Sequence, residues 1–233
     1  MSTTRRVRVS ALAAGAVLTL ALTGCGVSGT GFQPGVAADV NGTAVSTDHV
    51  DQLVVDYCEA IKSVLGEDNN VVPLSFFRSG VAGQLALVSA AEQMADDYGV
   101  EPTADYDKAV ADIESQTTEL TEGQREAVVE IESGSTYINA VEAAVGAQLL
   151  LEEGVAEPGP DASVQRGVEA FSEWLADHEI ELNPEYGIEL DGAAINTLDQ
   201  QLSVAVGDTA KAGLAETPDP AYAASLPQNQ RCG

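Results

Sequence analysis

Apolar side chains recur at helical spacing along most of this chain, and the breaks fall at proline, glycine and small polar residues. Val50, Leu53, Val54, Tyr57, Ile61, Val64 and Leu65 stand at i, i+3, i+4, i+7, i+11, i+14 and i+15, one face of an amphipathic helix. Ser46 or Thr47 is the expected N-cap, with Asp48 in the first turn, where a negative charge suits the helix dipole. Just upstream, Asn41-Gly42 lies between two short apolar-leaning runs. Both residues tolerate the positive φ of a type I′ turn, so a β-hairpin is predicted there.

Further along, Pro73 and Ser75 open a predicted second helix that carries Phe77, Val81, Leu85, Val88, Ala91, Ala95 and Tyr98 before Gly99 stops it. Gly80 and Gly83 weaken its first half or permit close packing. A third helix starts at Pro102 and Thr103, with Tyr106, Val110 and Ile113 on one face. A fourth is expected from Thr121 to Ser133, broken by Gly134, and a fifth from Ser135 to Glu153 with Tyr137, Val141, Ala144, Val145 and Leu149 inward. Residues 154–161 read as a linker. Asp161 or Ser163 caps a sixth helix ending near His178, with Val164, Val168, Phe171 and Leu175 as its stripe and Trp174 at its edge. Ile180 and Leu182 then alternate with Glu179 and Glu181, as in a half-buried strand. Beyond Asp191 the pattern weakens: Leu202, Val204 and Val206 offer a strand, and residues 217–227 read as coil rich in proline and alanine. The expected fold is mainly α, a bundle of five to six helices with a small β-hairpin or short antiparallel sheet joining the N- and C-terminal segments.

The first residues carry an address instead of a fold. Arg5, Arg6 and Arg8 form a positive region, and residues 9–22 an apolar stretch of signal-peptide length. It ends in Leu22-Thr23-Gly24-Cys25, which resembles a bacterial lipobox. The resemblance implies that residues 1–24 are a signal peptide and that Cys25 receives a diacylglycerol. Two acyl chains anchor stably where one is marginal, at about 0.8 kcal/mol per buried CH₂. Residues 25–35, rich in Gly, Ser and Thr, read as a tether. The expected location is the outer face of the cell membrane, with the lipid bilayer as a partner through Cys25.

Charge removes other classes of partner. Ten Lys and Arg face 37 Asp and Glu, a net charge of −27. Such acidity opposes nucleic-acid binding, which needs a basic footprint, and opposes a domain lying flat on anionic lipid. Cys58 and Cys232 remain once Cys25 is set aside, and outside the cytoplasm two cysteines most simply pair. Such a bridge closes a loop worth about 4–5 kcal/mol in chain-entropy terms.

The run around Val40-Asn41-Gly42, followed by Val45-Ser46 opening a helix, resembles the start of the SurA-type N-terminal domain of extracytoplasmic folding factors, a group that includes the PrsA lipoproteins. Asn183, Pro184, Tyr186 and Gly187 resemble the turn that in that family follows a returning strand. The resemblance implies that Glu179–Leu182 pairs with Ala37–Val40 or with Thr43–Val45, and that residues 36–190 form the domain, with 191–233 as a C-terminal extension. In the family a prolyl-isomerase domain of roughly a hundred residues is inserted before the late helix. Here residues 155–160 occupy that place, so no isomerase activity is expected.

No P-loop, GxGxxG, HExxH or GxSxG motif is present, and acids are too abundant for one carboxylate pair to stand out. His49 reads as a surface residue and His178, beside Asp177 and Glu179, as a residue at a helix C-terminus. No catalytic residue, metal site or cofactor is expected. Phe76, Phe77, Phe171 and Trp174 are candidates to line a peptide groove, each equally readable as core. Two functions follow as expectations: a lipid-anchored holdase that shields unfolded or secreted polypeptides, or a structural lipoprotein that docks one dedicated envelope partner.

Overall fold

A computed structural model describes residues 34–67, 70–198, 207–213, 215, 217 and 219–233. The expected signal peptide, Cys25, most of the tether and the strand expected at Leu202, Val204 and Val206 lie outside these residues.

The protein is mainly helical with small antiparallel sheets. Strands β1 (Val36–Val40) and β2 (Thr43–Ser46) form the predicted hairpin. Its turn places Asn41 at φ 51 and Gly42 at φ 86, and Asp39 Oδ1 accepts from the Gly42 N–H at 2.8 Å. Ser46 Oγ accepts from the His49 N–H at 3.1 Å, so Ser46 caps helix α1 (Thr47–Glu67). Strand β3 (Val72–Pro73) leads into α2 (Leu74–Tyr98), which Gly99 ends in a left-handed C-cap. Helix α3 (Ala104–Gln116) lays a half-buried stripe on α4, with Tyr106 meeting Tyr137 edge to face at 5.1 Å.

Helix α4 runs unbroken from Glu122 to Glu152, so the two helices expected on either side of Gly134 are one. Its start is a capping box between Thr121 and Gln124. Gly134 is in the helix because the Gln84 side chain of α2 fills the place a Cβ would take, while donating to the Ile131 carbonyl at 2.6 Å. A mid-helix glycine costs about 1 kcal/mol relative to alanine, too little to end a helix packed on four other helices.

Helix α5 (Pro160–Asp177) folds back on α4 as the tightest contact in the molecule. A Cβ on Gly146 would strike the Ser163 carbonyl, and one on Gly167 the Glu142 carbonyl. That approach sets the rotation of α5. Ser163, Gly167, Ala170, Phe171, Trp174 and Leu175 face inward, and Val164 and Val168, expected in the stripe, are exposed.

Strand β4 (Ile180–Leu182) returns beside β1, giving a sheet of order β2-β1-β4 with Ala38 opposite Leu182 and Val40 opposite Ile180. Of the two pairings open in the sequence, β1 is the partner. Asn183 then links the ends of the domain: its Nδ2 donates to the Val36 carbonyl at 2.9 Å, and its Oδ1 caps the short 3-10 turn Pro184–Tyr186. Tyr186 is buried, and its carbonyl accepts from Ser79 Oγ at 2.6 Å.

A second hairpin follows, β5 (Ile188–Asp191) and β6 (Ala194–Thr197), which spans the boundary expected after residue 190. It lies across α2, where Gly83 clears space for Ile195 Cδ1 and Ile188 Cδ1. The tail includes α6 (Asp208–Gly213) and α7 (Pro220–Ser225), the latter capped by Asp219 within the stretch expected to be coil. Strand β7 (Arg231–Cys232) pairs with β3, and Cys232 is bonded to Cys58 of α1 across a Cα–Cα distance of 5.6 Å. Among the described residues no helix is long and apolar enough to cross a membrane.

The interior divides into two clusters. One gathers Phe171, Trp174, Met94, Val141 and Val145 around the alanines of α2, under the β2-β1-β4 sheet. The other joins Val50, Leu53, Val54, Val81, Ala127 and Tyr186 between α1, α2 and α4.

Candidate functional site

The four aromatic residues expected to line a groove are divided by the fold. Phe171 is fully buried and Trp174 nearly so, both in the first core cluster. The Trp174 indole N–H donates to Asp97 Oδ2 at 2.8 Å, and its ring stacks on His178 at 3.8 Å. Those two residues are core, and they close the far end of α5 against α2. Phe76 and Phe77 are different. Phe76 is exposed and Phe77 half-buried, and both open onto a cavity of about 550 Å³.

Helices α1, α2 and α4 and the β5–β6 hairpin enclose this groove. Tyr57 of α1 and Phe77 of α2 meet edge to face at 5.8 Å and form one wall, with Phe76 beside them. Ile195 of β6 also lines it. Gly80, on a helix interior where propensity alone disfavours glycine, is an exposed lining residue with nothing within 4 Å of its missing Cβ. A larger side chain at this position would project into open space beside the groove. A volume of this size and apolar character falls in the range of ligand sites, about 300–1,000 Å³.

Helix α4 supplies a polar rail. Ser135, Asn139 and Glu142, at i, i+4 and i+7, line the same side of the groove. Glu142 is only 5% exposed, and burial alone pushes its carboxyl up to about 7. It is the one charged residue among those lining the groove. The Tyr57 hydroxyl, at the rim, donates to the Glu132 carboxylate, and burial together with that bond raises the phenol well above its ordinary value. On the solvent side of the same helices, His49 Nε2 reaches Glu130 Oε1 at 2.7 Å, and Arg78 Nε donates to Asp51 Oδ1 at 2.7 Å.

A second, more polar cavity of about 770 Å³ adjoins the groove across Phe76, Gly80 and Ile195. It runs between α2, the Pro184–Tyr186 turn and the hairpin. Among the described residues no three His, Cys, Asp or Glu side chains converge as a metal site.

The groove was only half legible in the sequence. Phe76 and Phe77 are in it. Glu142 was missed, although the signal was there: it interrupts the apolar face of α4 between Val141 and Val145. Ile195 was missed because the hairpin that carries it was not expected. No protein-family model matches the chain, and no curated protein or solved structure matches it.

Proposed function

We propose that this protein is a lipid-anchored, extracytoplasmic holdase-type module that takes apolar segments of unfolded or secreted polypeptides into the α1–α2–α4 groove. The observation that carries the reading is the groove itself: an open, aromatic-walled trough of about 550 Å³ on a chain of net charge −27. An apolar trough takes up side chains that water disfavours, while the acidic surface keeps a complex dispersed. The wording at Val40-Asn41-Gly42 and at Asn183-Pro184, with its likeness to SurA-type domains, supports the same reading, and the lipobox at Cys25 supports the anchor. The mechanism is passive shielding, without prolyl isomerisation.

The test is suppression of aggregation of a chemically unfolded model protein by the full chain in neutral detergent, run beside a prolyl-isomerisation assay. Suppression near stoichiometric ratio, lost in Gly80→Leu, is the expected result. Equal suppression by wild type and Gly80→Leu would detach the activity from the groove, and none at all would end the holdase reading. Anchoring is tested separately by metabolic labelling with a fatty acid, expected in wild type and absent in Cys25→Ala.

A second reading, docking to one dedicated envelope partner, is favoured by a different surface. Leu151, Val155, Val164 and Val168 are all exposed around the connected ends of α4 and α5. Crosslinking from that end in cells is its test: one reproducible partner, lost on Val164→Asp, supports it, and a diffuse set of products speaks against it.

A further inference from the structure

We propose that the groove selects apolar segments that carry a lysine or arginine side chain, whose cation pairs with the Glu142 carboxylate. The inference rests on the groove reading above and names the chemistry of its occupant.

Glu142 is where an acid is least expected. It lies on the inner part of α4, only 5% exposed, with its backbone pressed against Gly167 of α5. No hydrogen bond or neighbouring charge compensates it among the described residues, and burial alone accounts for its raised pKa. A carboxylate in such a place is costly unless something pairs with it. Glutamine has the same shape without the charge, so packing does not require the acid. The side chain lines the groove.

The surroundings suit an amphipathic cation. Tyr57 and Phe77 offer aromatic faces and edges along which the methylenes of a lysine or arginine lie, and a cation is attracted to an aromatic face. Ser135 and Asn139 continue the polar rail beside Glu142, so an occupant is apolar on the α1–α2 side and polar on the α4 side. No basic residue lines the groove to compete for Glu142. Tyr57 is the only other titratable group lining the groove, and its hydroxyl is engaged by Glu132. An acidic segment meets both the buried carboxylate and the overall charge of −27, and is turned away.

The test measures fluorescence anisotropy of two labelled apolar peptides, identical except for a central lysine in one and norleucine in the other. Each is titrated with the full chain in neutral detergent at pH 8. Wild type is expected to bind the lysine peptide at least tenfold more tightly. Glu142→Gln brings the two peptides to parity, and Gly80→Leu weakens both. Thermal melts of each variant check that it is folded. Equal affinities in wild type overturn the inference and leave the groove reading standing. A lysine preference that survives Glu142→Gln also overturns it, because the preference then comes from the long-range negative field. Absence of binding by either peptide overturns the inference together with the groove reading.

Discussion

Glu142 ties the stability of this protein to pH in an unusual direction. In an unfolded chain its carboxyl titrates at the ordinary value of 4.5, and in the fold at about 7. Between those values the folded state holds more protons than the unfolded one, so this residue's contribution to stability falls as pH rises from about 4.5 to about 7, and is level beyond. A salt-bridged acid gives the opposite slope. Glu142→Gln removes the ionisation. Its melting temperature is expected to exceed that of wild type by a few degrees at pH 8, given about 2–4 °C per kcal/mol for a chain of this size, and the gap narrows toward pH 4.5. Melts of both proteins at pH 5 and pH 8 check this, and parallel profiles would refute it.

Glycines in the helices have three separate uses here, distinguishable by what surrounds them. Gly80 faces open space, so Gly80→Ala is expected to stabilise by about 0.5–1 kcal/mol through helix propensity alone. Gly167 faces the Glu142 backbone, where the added methyl meets a carbonyl that cannot move without shifting α4. Gly167→Ala is therefore expected to destabilise by roughly 1–3 kcal/mol, an overpacking penalty. Urea midpoints of the two variants should move in opposite directions. Gly134 is the third case, its Cβ position filled by a flexible glutamine. Identical residues thus differ in consequence by their neighbours, which a sequence does not display.

That difference explains what was legible at the scale of elements. Local chemistry was enough for the Asn41-Gly42 turn, a cap at Ser46 or Thr47, the start of a helix at Thr121 and the course of α1 and α2, since each depends on residues a few positions apart. Ile180–Leu182 was legible as a strand through its alternation, while its partner, β1 or β2, was left open until the fold placed it on β1. Gly134 was misleading, because the glycine answers to Gln84 on another helix. Val164 and Val168 were misleading for a related reason: the Gly146–Gly167 approach rotates α5, and a stripe of small residues wins the inner face from valines. The β5–β6 hairpin was announced by Asp191-Gly192, whose glycine adopts φ 58, a turn signal that the weak flanking pattern obscured. Deleting the turn's freedom with Gly192→Val should detach Ile195 from α2 and widen the groove, detectable as faster hydrogen exchange at residues 188–197.

For the molecule as a whole, the Cys58–Cys232 bond and the β3–β7 pairing fasten the tail to α1 and α2. Proteolytic cuts in the stretch between residues 198 and 219 should leave the C-terminal fragment attached until reductant is added, and release without reductant would show that the bond is absent in solution. Reduction of the intact protein is expected to lower its stability by about 2–5 kcal/mol.

The β2-β1-β4 sheet carries a consequence in time. Val40 pairs with Ile180, so the open edge of β1 waits for 140 further residues before its partner exists. At a synthesis rate of about 5–20 residues per second, that is roughly 7–28 seconds. Throughout that interval the earliest strand of the fold is an unpaired edge, able to join a neighbouring chain as readily as its own. A protein proposed to shelter the nascent segments of others passes, during its own biogenesis, through the same exposed condition.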